Sequence, residues 1–205
     1  AMLMKASELL KEAGWVIQDG KLVDEYGDQM TIEILLISPA FERIAAPVLQ
    51  SMEQLGIAAS QRTVETAQYQ ERTQKFDFDI IVASPGMSNS PGNELRDLWG
   101  CESANTEGAG NISGICHPVV EDLINKIIAA PNREHLVALS TALDRVLQWN
   151  YIAIPHWYIA SYRFAYWDMF GRPDTTPKYG VGTGAWWVIP DKKAAIDAGR
   201  AGLGN

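Results

Sequence analysis

Residues 78–100 read FDIIVASPGMSNSPGNELRDLWG, and the reading of this stretch decides the fold. The apolar run Ile80-Ile81-Val82-Ala83 has the composition of a buried strand and stops at Ser84-Pro85-Gly86. A loop of small residues through Met87, Ser88 and Asn89 follows, and then a short charged and aromatic segment from Glu94 to Trp99. Open α/β sheets place their ligands at such loops, because the chain leaving the carboxyl end of a strand presents free backbone groups. No catalytic chemistry is visible in this loop. The first expectation is therefore capture of a ligand rather than its turnover.

Working outward, the flanking segments alternate between the two periodicities. Residues 31–37, TIEILLI, are β-branched and bounded by Ser38-Pro39, which predicts a strand. Residues 41–55 predict a helix, with Ile44, Val48, Met52 and Leu55 on one stripe, Gly56 as its cap, and Pro47 as a kink or the start of its regular part. Residues 57–64 predict a second strand, Thr66 caps a short helix holding Tyr69 and Arg72, and residues 78–83 are the third strand. Strand–helix–strand–helix–strand at this spacing argues for βαβ units, hence an α/β fold with a mixed, mostly parallel sheet flanked by helices. Upstream, residues 4–13 read as a helix closed by Gly14, and Asp19-Gly20 signals a tight turn within residues 15–27. Downstream, two helices are expected. One opens at Pro118 and turns Val120, Leu123, Ile124, Ile127 and Ile128 inward; the other is capped by Asn132 and buries Leu136, Leu139, Leu143 and Val146. Residues 151–158 and 162–167 look strand-like and aromatic. The Gly- and Pro-rich tail from Phe170 carries Trp186-Trp187 and ends, from about Asp191, in a loose helix or a mobile end.

The 205 residues suit one or two domains, and 47% hydrophobic content supplies enough apolar material for a core. The formal net charge of -8, without a basic stripe, argues against nucleic acid and against anionic membrane surfaces; its plain role is solubility. No apolar run reaches the length of a membrane span, so no membrane insertion of this piece is expected. No signal-peptide pattern is present. Ala1 ahead of Met2 reads as an expression scar, and the chain as a piece excised from a longer protein. Cys101 and Cys116 bracket a loop rich in Gly, Ser and Asn. A disulfide there, which fits an oxidising compartment, stands beside the alternative of two half-buried thiols; with only His117 nearby, the pair falls short of the four ligands of structural zinc.

Signals for catalysis are weak. His117, His135 and His156 sit at no ligand spacing, and no G-x-S-x-G elbow occurs. Gly180–Gly184 superficially resembles a phosphate loop but lacks the lysine. Asp77 and Asp79 flank a strand start, where carboxylates are usually solvated. Neither an enzyme nor a cofactor is expected. The aromatic residues Trp149, Tyr151, Trp157, Tyr158, Tyr162, Tyr166 and Trp167 are concentrated in one stretch. They either fill core and cover a sheet face, or offer flat contact surfaces to a ligand, Trp157 and Tyr158 first among them.

The runs AQYQERTQKFDFDIIVASPGMSNSPGNELRDLWG (residues 67–100) and HPVVEDLINKIIAAPNREHLVALSTALDRVLQWNYIAIPHWY (residues 117–158), with SELLKEAGW near the start, resemble the C-terminal part of family 5 extracellular solute-binding proteins of ABC importers, in particular their oligopeptide-binding, YejA-like branch. The resemblance extends from about Leu9 to Pro190. It implies a periplasmic-binding-protein type II-like lobe: residues 1–160 as the C-terminal ligand-binding lobe of a two-lobed protein that closes like a hinge, and residues 161–205 as a segment returning to the other lobe. It also implies an oligopeptide ligand, a membrane permease as partner, and a periplasmic location. Peptide-binding relatives usually carry an acidic residue after the third strand to pair with the peptide's amino terminus. Here the corresponding Ser84–Asn89 loop has none. Glu94 or Asp97 is one substitute, and Arg96 a partner for a ligand carboxylate; the alternative is that Arg96 and Asp97 make local links under the loop. The expected ligand-facing residues are Pro85, Gly86, Met87, Ser88, Asn89, Arg96, Trp157 and Tyr158. Two other classes stay open: a protein-interaction module with an aromatic surface, and a small α/β hydrolase.

Overall fold

The computed structural model describes residues 2–84, 86–178 and 180–201, so Pro85 lies outside the described residues. The chain forms two compact units, Ala1–Ile154 and Pro155–Asn205. In the first, helix α1 (Met2–Glu12) leads into a hairpin of β1 (Val16–Gln18) and β2 (Lys21–Val23). Its two-residue turn, Asp19-Gly20, has positive φ at both positions, the conformation whose twist matches that of paired strands.

A parallel three-stranded sheet follows. β3 (Thr31–Leu36) is central, pairing along its whole length with β4 (Ala58–Thr63) and over two residues with β5 (Ile80–Ile81). Helix α2 (Glu42–Glu53) connects β3 to β4, and α3 (Thr66–Gln74) connects β4 to β5. The helix α2 runs through Pro47, which neither ends nor starts it. Ile34 and Leu36 pack with Ala45 of α2, and Leu35 is fully buried. Both carboxylates at the start of the third strand have structural work rather than solvent alone. Asp79 accepts from the Glu33 amide at 2.8 Å, and Arg72 bridges Glu33 and Asp77 at 2.8 Å each. The bond to Glu33 leads in raising the already high pKa of that guanidinium.

β5 is shorter than the six residues the sequence suggests. The apolar run continues through Val82 and Ala83, but its ladder to β3 ends at Ile81. Apolar composition favours a strand; only a hydrogen-bonding neighbour makes one.

Gly56 follows α2 at φ +81°, where its carbonyl accepts from the Leu22 amide at 2.8 Å and from Gln29 Nε2 at 3.0 Å. A Cβ at this position would stand 2.6 Å from the Leu22 nitrogen. Gly56→Ala is expected to cost more than the roughly 1–2 kcal/mol of a left-handed backbone alone, since β2 must also shift; urea unfolding measures it.

The second core of this unit is helical. α4 (Glu94–Trp99), α5 (Pro118–Ile128) and α6 (Arg133–Trp149) enclose Leu95, Val120, Leu123, Ile124, Ile127 and Leu143. His117 caps α5, its Nδ1 accepting from the Val119 amide at 3.2 Å, and Asn132 caps α6 by accepting from the His135 amide at 3.0 Å. The loop between α4 and α5 is closed by a disulfide between Cys101 and Cys116, with Cα atoms 4.4 Å apart. Inside it lies Asn111, fully buried. Its side-chain nitrogen donates to the carbonyls of Gly100 and Ile115 at 2.9 Å each, and its side-chain oxygen accepts from Ser113.

The second unit contains a two-stranded ladder of β6 (Phe170–Gly171) and β7 (Trp187–Val188), then α7 (Pro190–Ala201). Trp186 gathers Phe164, Tyr166 and Phe170 around it, with ring centroids 5.0–6.1 Å away. Residues 151–158 and 162–167 form no strand. Pro155 donates nothing to a ladder, and none of these residues pairs in a ladder with another described segment. No described helix is long and apolar enough to cross a membrane.

Candidate ligand-binding site

The residues that leave β5 run to α4 as an irregular loop, and α6 lies against it. Between them opens a groove of about 360 Å³. Met87, Ser88, Asn89 and Pro91 form one wall. The other is a single stripe of α6: Arg133, Leu136, Val137, Ser140, Thr141 and Asp144. These positions recur at three- and four-residue steps, the spacing that keeps side chains on one helix face. The neighbouring stripe, with Leu139, Leu143 and Val146, packs on the helical core, which fixes the rotation of α6 and turns the mixed stripe toward the loop.

Arg133 fastens the two walls together. Its Nη1 donates to the carbonyl of Asn89 at 2.8 Å and to Ser90 Oγ at 3.3 Å. On the loop itself, Ser88 Oγ accepts from the Ser90 amide at 3.0 Å. At the foot of the loop, Glu94 accepts from the Gly92 amide at 3.0 Å.

Of the ligand-facing residues expected from sequence, Met87, Ser88 and Asn89 line the groove. Gly86 is exposed beside them and does not line it. Arg96 is also absent from the lining: its guanidinium donates to Asn125 Oδ1 of α5 at 2.7 Å. Asp97 is held locally, accepting from the Gly110 amide at 3.0 Å and, through its carbonyl, from Ser103 Oγ. Neither Glu94 nor Asp97 supplies the groove with a carboxylate; Asp144 does. Trp157 and Tyr158 belong to the other unit, where both are exposed. The wider aromatic set is exposed too, Trp149 and Tyr151 included, so these rings do not fill a core among the described residues.

Arg133, Ser140, Thr141 and Asp144 escape a reading of the sequence. Their spacing is visible there, but a polar helix stripe looks the same whether it faces solvent or a loop. The histidines are accounted for structurally. His117 and His135 sit at helix starts, and His156 packs on Trp157 with ring centroids 4.1 Å apart.

Comparison with known proteins gives these features a family. The sequence profile of the bacterial extracellular solute-binding proteins, family 5 (middle region), matches residues 2–107. The "Probable peptide-binding protein YejA" of Agrobacterium fabrum is 42% identical over 187 residues, which cover 90% of this chain and 30% of that protein. The chain thus spans about a third of such a relative's length. Among solved structures, the oligopeptide-binding protein AppA of Bacillus subtilis in complex with a nonapeptide superposes with a TM-score of 0.62 at 21% identity, covering 70% of this chain and 29% of that one. NikZ of Campylobacter jejuni in complex with Ni(L-His) superposes with a TM-score of 0.63 at 16% identity, over 73% of this chain and 30% of that one. The two structures share the α/β lobe with this chain while holding different ligands. With a matching profile over more than half its length, a parallel sheet flanked by helices, and a loop-lined groove at the sheet's carboxyl edge, the chain belongs to the bacterial extracellular solute-binding proteins, family 5.

Proposed function

We propose that the protein containing this chain captures oligopeptides in the periplasm and delivers them to the membrane permease of an ABC importer. The observation that carries this reading is the groove between the loop after β5 and α6, a concave surface with apolar floor residues and a few placed polar groups, as small-ligand sites have. The 42% identity to a protein named for peptide binding supports the peptide as ligand class. The protein acts by binding and by closure of two lobes, and no bond is made or broken. Residues 1–160 belong to the ligand-binding lobe, and residues 161–205 lead back to the other lobe.

The test is native mass spectrometry of the full-length protein, purified from its host without refolding. The expected result is a set of co-purifying masses that fit short peptides, released when the protein is denatured. A single non-peptide mass would keep a capture role and overturn the peptide assignment. An empty protein that ignores a free peptide library, or one that converts a substrate, would overturn the proposal.

A further inference from the structure

The groove is electrically polar from end to end. Arg133 opens the α6 stripe and Asp144 closes it. The two residues are eleven positions apart, which returns to the same helix face and sets them about 16 Å apart along the axis. Neither forms an ion pair with any described residue. Arg133 uses one nitrogen, Nη1, to hold the loop, so its Nε and second Nη keep their donors. Asp144 receives one bond, from Gln148 Nε2 at 2.8 Å on Oδ2, and its Oδ1 takes none from the described residues.

The residues between them set what kind of ligand backbone fits. Ser140 Oγ donates to the Leu136 carbonyl at 2.7 Å, and Thr141 Oγ1 donates to the Val137 carbonyl at 2.8 Å. Both hydroxyl protons are thereby engaged within the helix. What these side chains retain is acceptor capacity, which suits N–H groups of a ligand. Leu136 and Val137 supply apolar surface beside them.

We infer that this groove selects peptides by their two free ends, with the ligand's terminal ammonium at Asp144 and its carboxylate at Arg133. The inference rests on the peptide-capture reading above and adds to it a direction and a length. An extended chain advances about 3.3 Å per residue, so a span of about 16 Å fits roughly four to six residues. The reverse direction would set like charges together at both ends. Discrimination by ends leaves the ligand's side chains largely free, as a receptor for mixed peptides requires.

The experiment uses the full-length protein and three synthetic pools of random pentapeptides: one with free ends, one N-acetylated, one C-amidated. Affinity is read by calorimetry for the wild type, Asp144→Asn, Arg133→Gln and Arg133→Lys. Removing a charge-assisted hydrogen bond at one end corresponds to about a tenfold to hundredfold weakening. N-acetylation is expected to weaken the wild type by that factor and Asp144→Asn by almost nothing further. C-amidation is expected to behave likewise with Arg133→Gln, while Arg133→Lys, which keeps the charge, retains most of the discrimination. The inference is overturned if the pool with free ends binds but blocking an end weakens each variant as much as the wild type. If the wild type binds none of the three pools, the peptide-capture reading itself falls. Thermal unfolding of each variant separates weakened ligand recognition from a damaged fold.

Discussion

Ile124→Ala is expected to lower the unfolding free energy of the chain by about 2–5 kcal/mol, the range for removing a fully buried branched side chain and leaving a cavity. Ile124 is wholly inaccessible to solvent, among Leu95, Val120, Ile127 and Leu143. These residues come from three helices that close around one small core, so little can move inward to refill the space. Ile124→Val should cost only about 0.5–1.5 kcal/mol, because one methylene is removed and the branch is kept. Urea unfolding followed by circular dichroism distinguishes the two. A loss below about 1 kcal/mol for the alanine variant would mean that α5 and α6 do not pack as described. The site is affected as well: the inner stripe of α6 rests on this core and its mixed stripe lines the groove, so a loosened core loosens one wall.

The second large effect concerns the loop closed by Cys101 and Cys116, which are fifteen positions apart. Replacing both with alanine is expected to cost about 3 kcal/mol, chiefly because the unfolded chain regains the freedom of that loop. The folded loop should change little. Asn111 still bonds the carbonyls of Gly100 and Ile115, and Ser103 still ties the loop to Asp97. A reducing agent should lower the stability of the unmodified protein by a similar amount and leave the double alanine variant unchanged. If reduction does not shift the unfolding midpoint of the unmodified protein, the two thiols are not joined in solution.

The sheet is legible in the sequence because its signals are local and agree. The β-branched run ending at Ser38-Pro39, the apolar stripe of α2 and the Gly56 cap each specify their own boundaries. The Asp19-Gly20 turn and the Asn132 cap are of the same kind. What sequence reading does not settle depends on partners distant along the chain. Val82 and Ala83 have strand composition but no ladder. Residues 151–158 and 162–167 have aromatic and apolar composition, and the same limit applies. Arg96 follows the loop in sequence, which suggests a ligand partner; in space it reaches across to Asn125. Arg133 and Asp144, remote from the loop in sequence, are brought to it by the rotation of α6. The loop's own contribution is readable in part, as Met87, Ser88 and Asn89, because a strand end followed by small residues has few other uses.

The brevity of β5 has an evolutionary consequence. Its ladder ends at Ile81, and the buried weight of the sheet is carried by Ile34, Leu35 and Leu36 on the central strand. Insertions, deletions and substitutions over residues 82–93 therefore fall outside most of what holds the sheet together. Descendants of one ancestral gene can exchange this segment, drift in ligand preference and remain above the threshold for folding. The scaffold is insulated from the part of the molecule on which selection for a new nutrient acts.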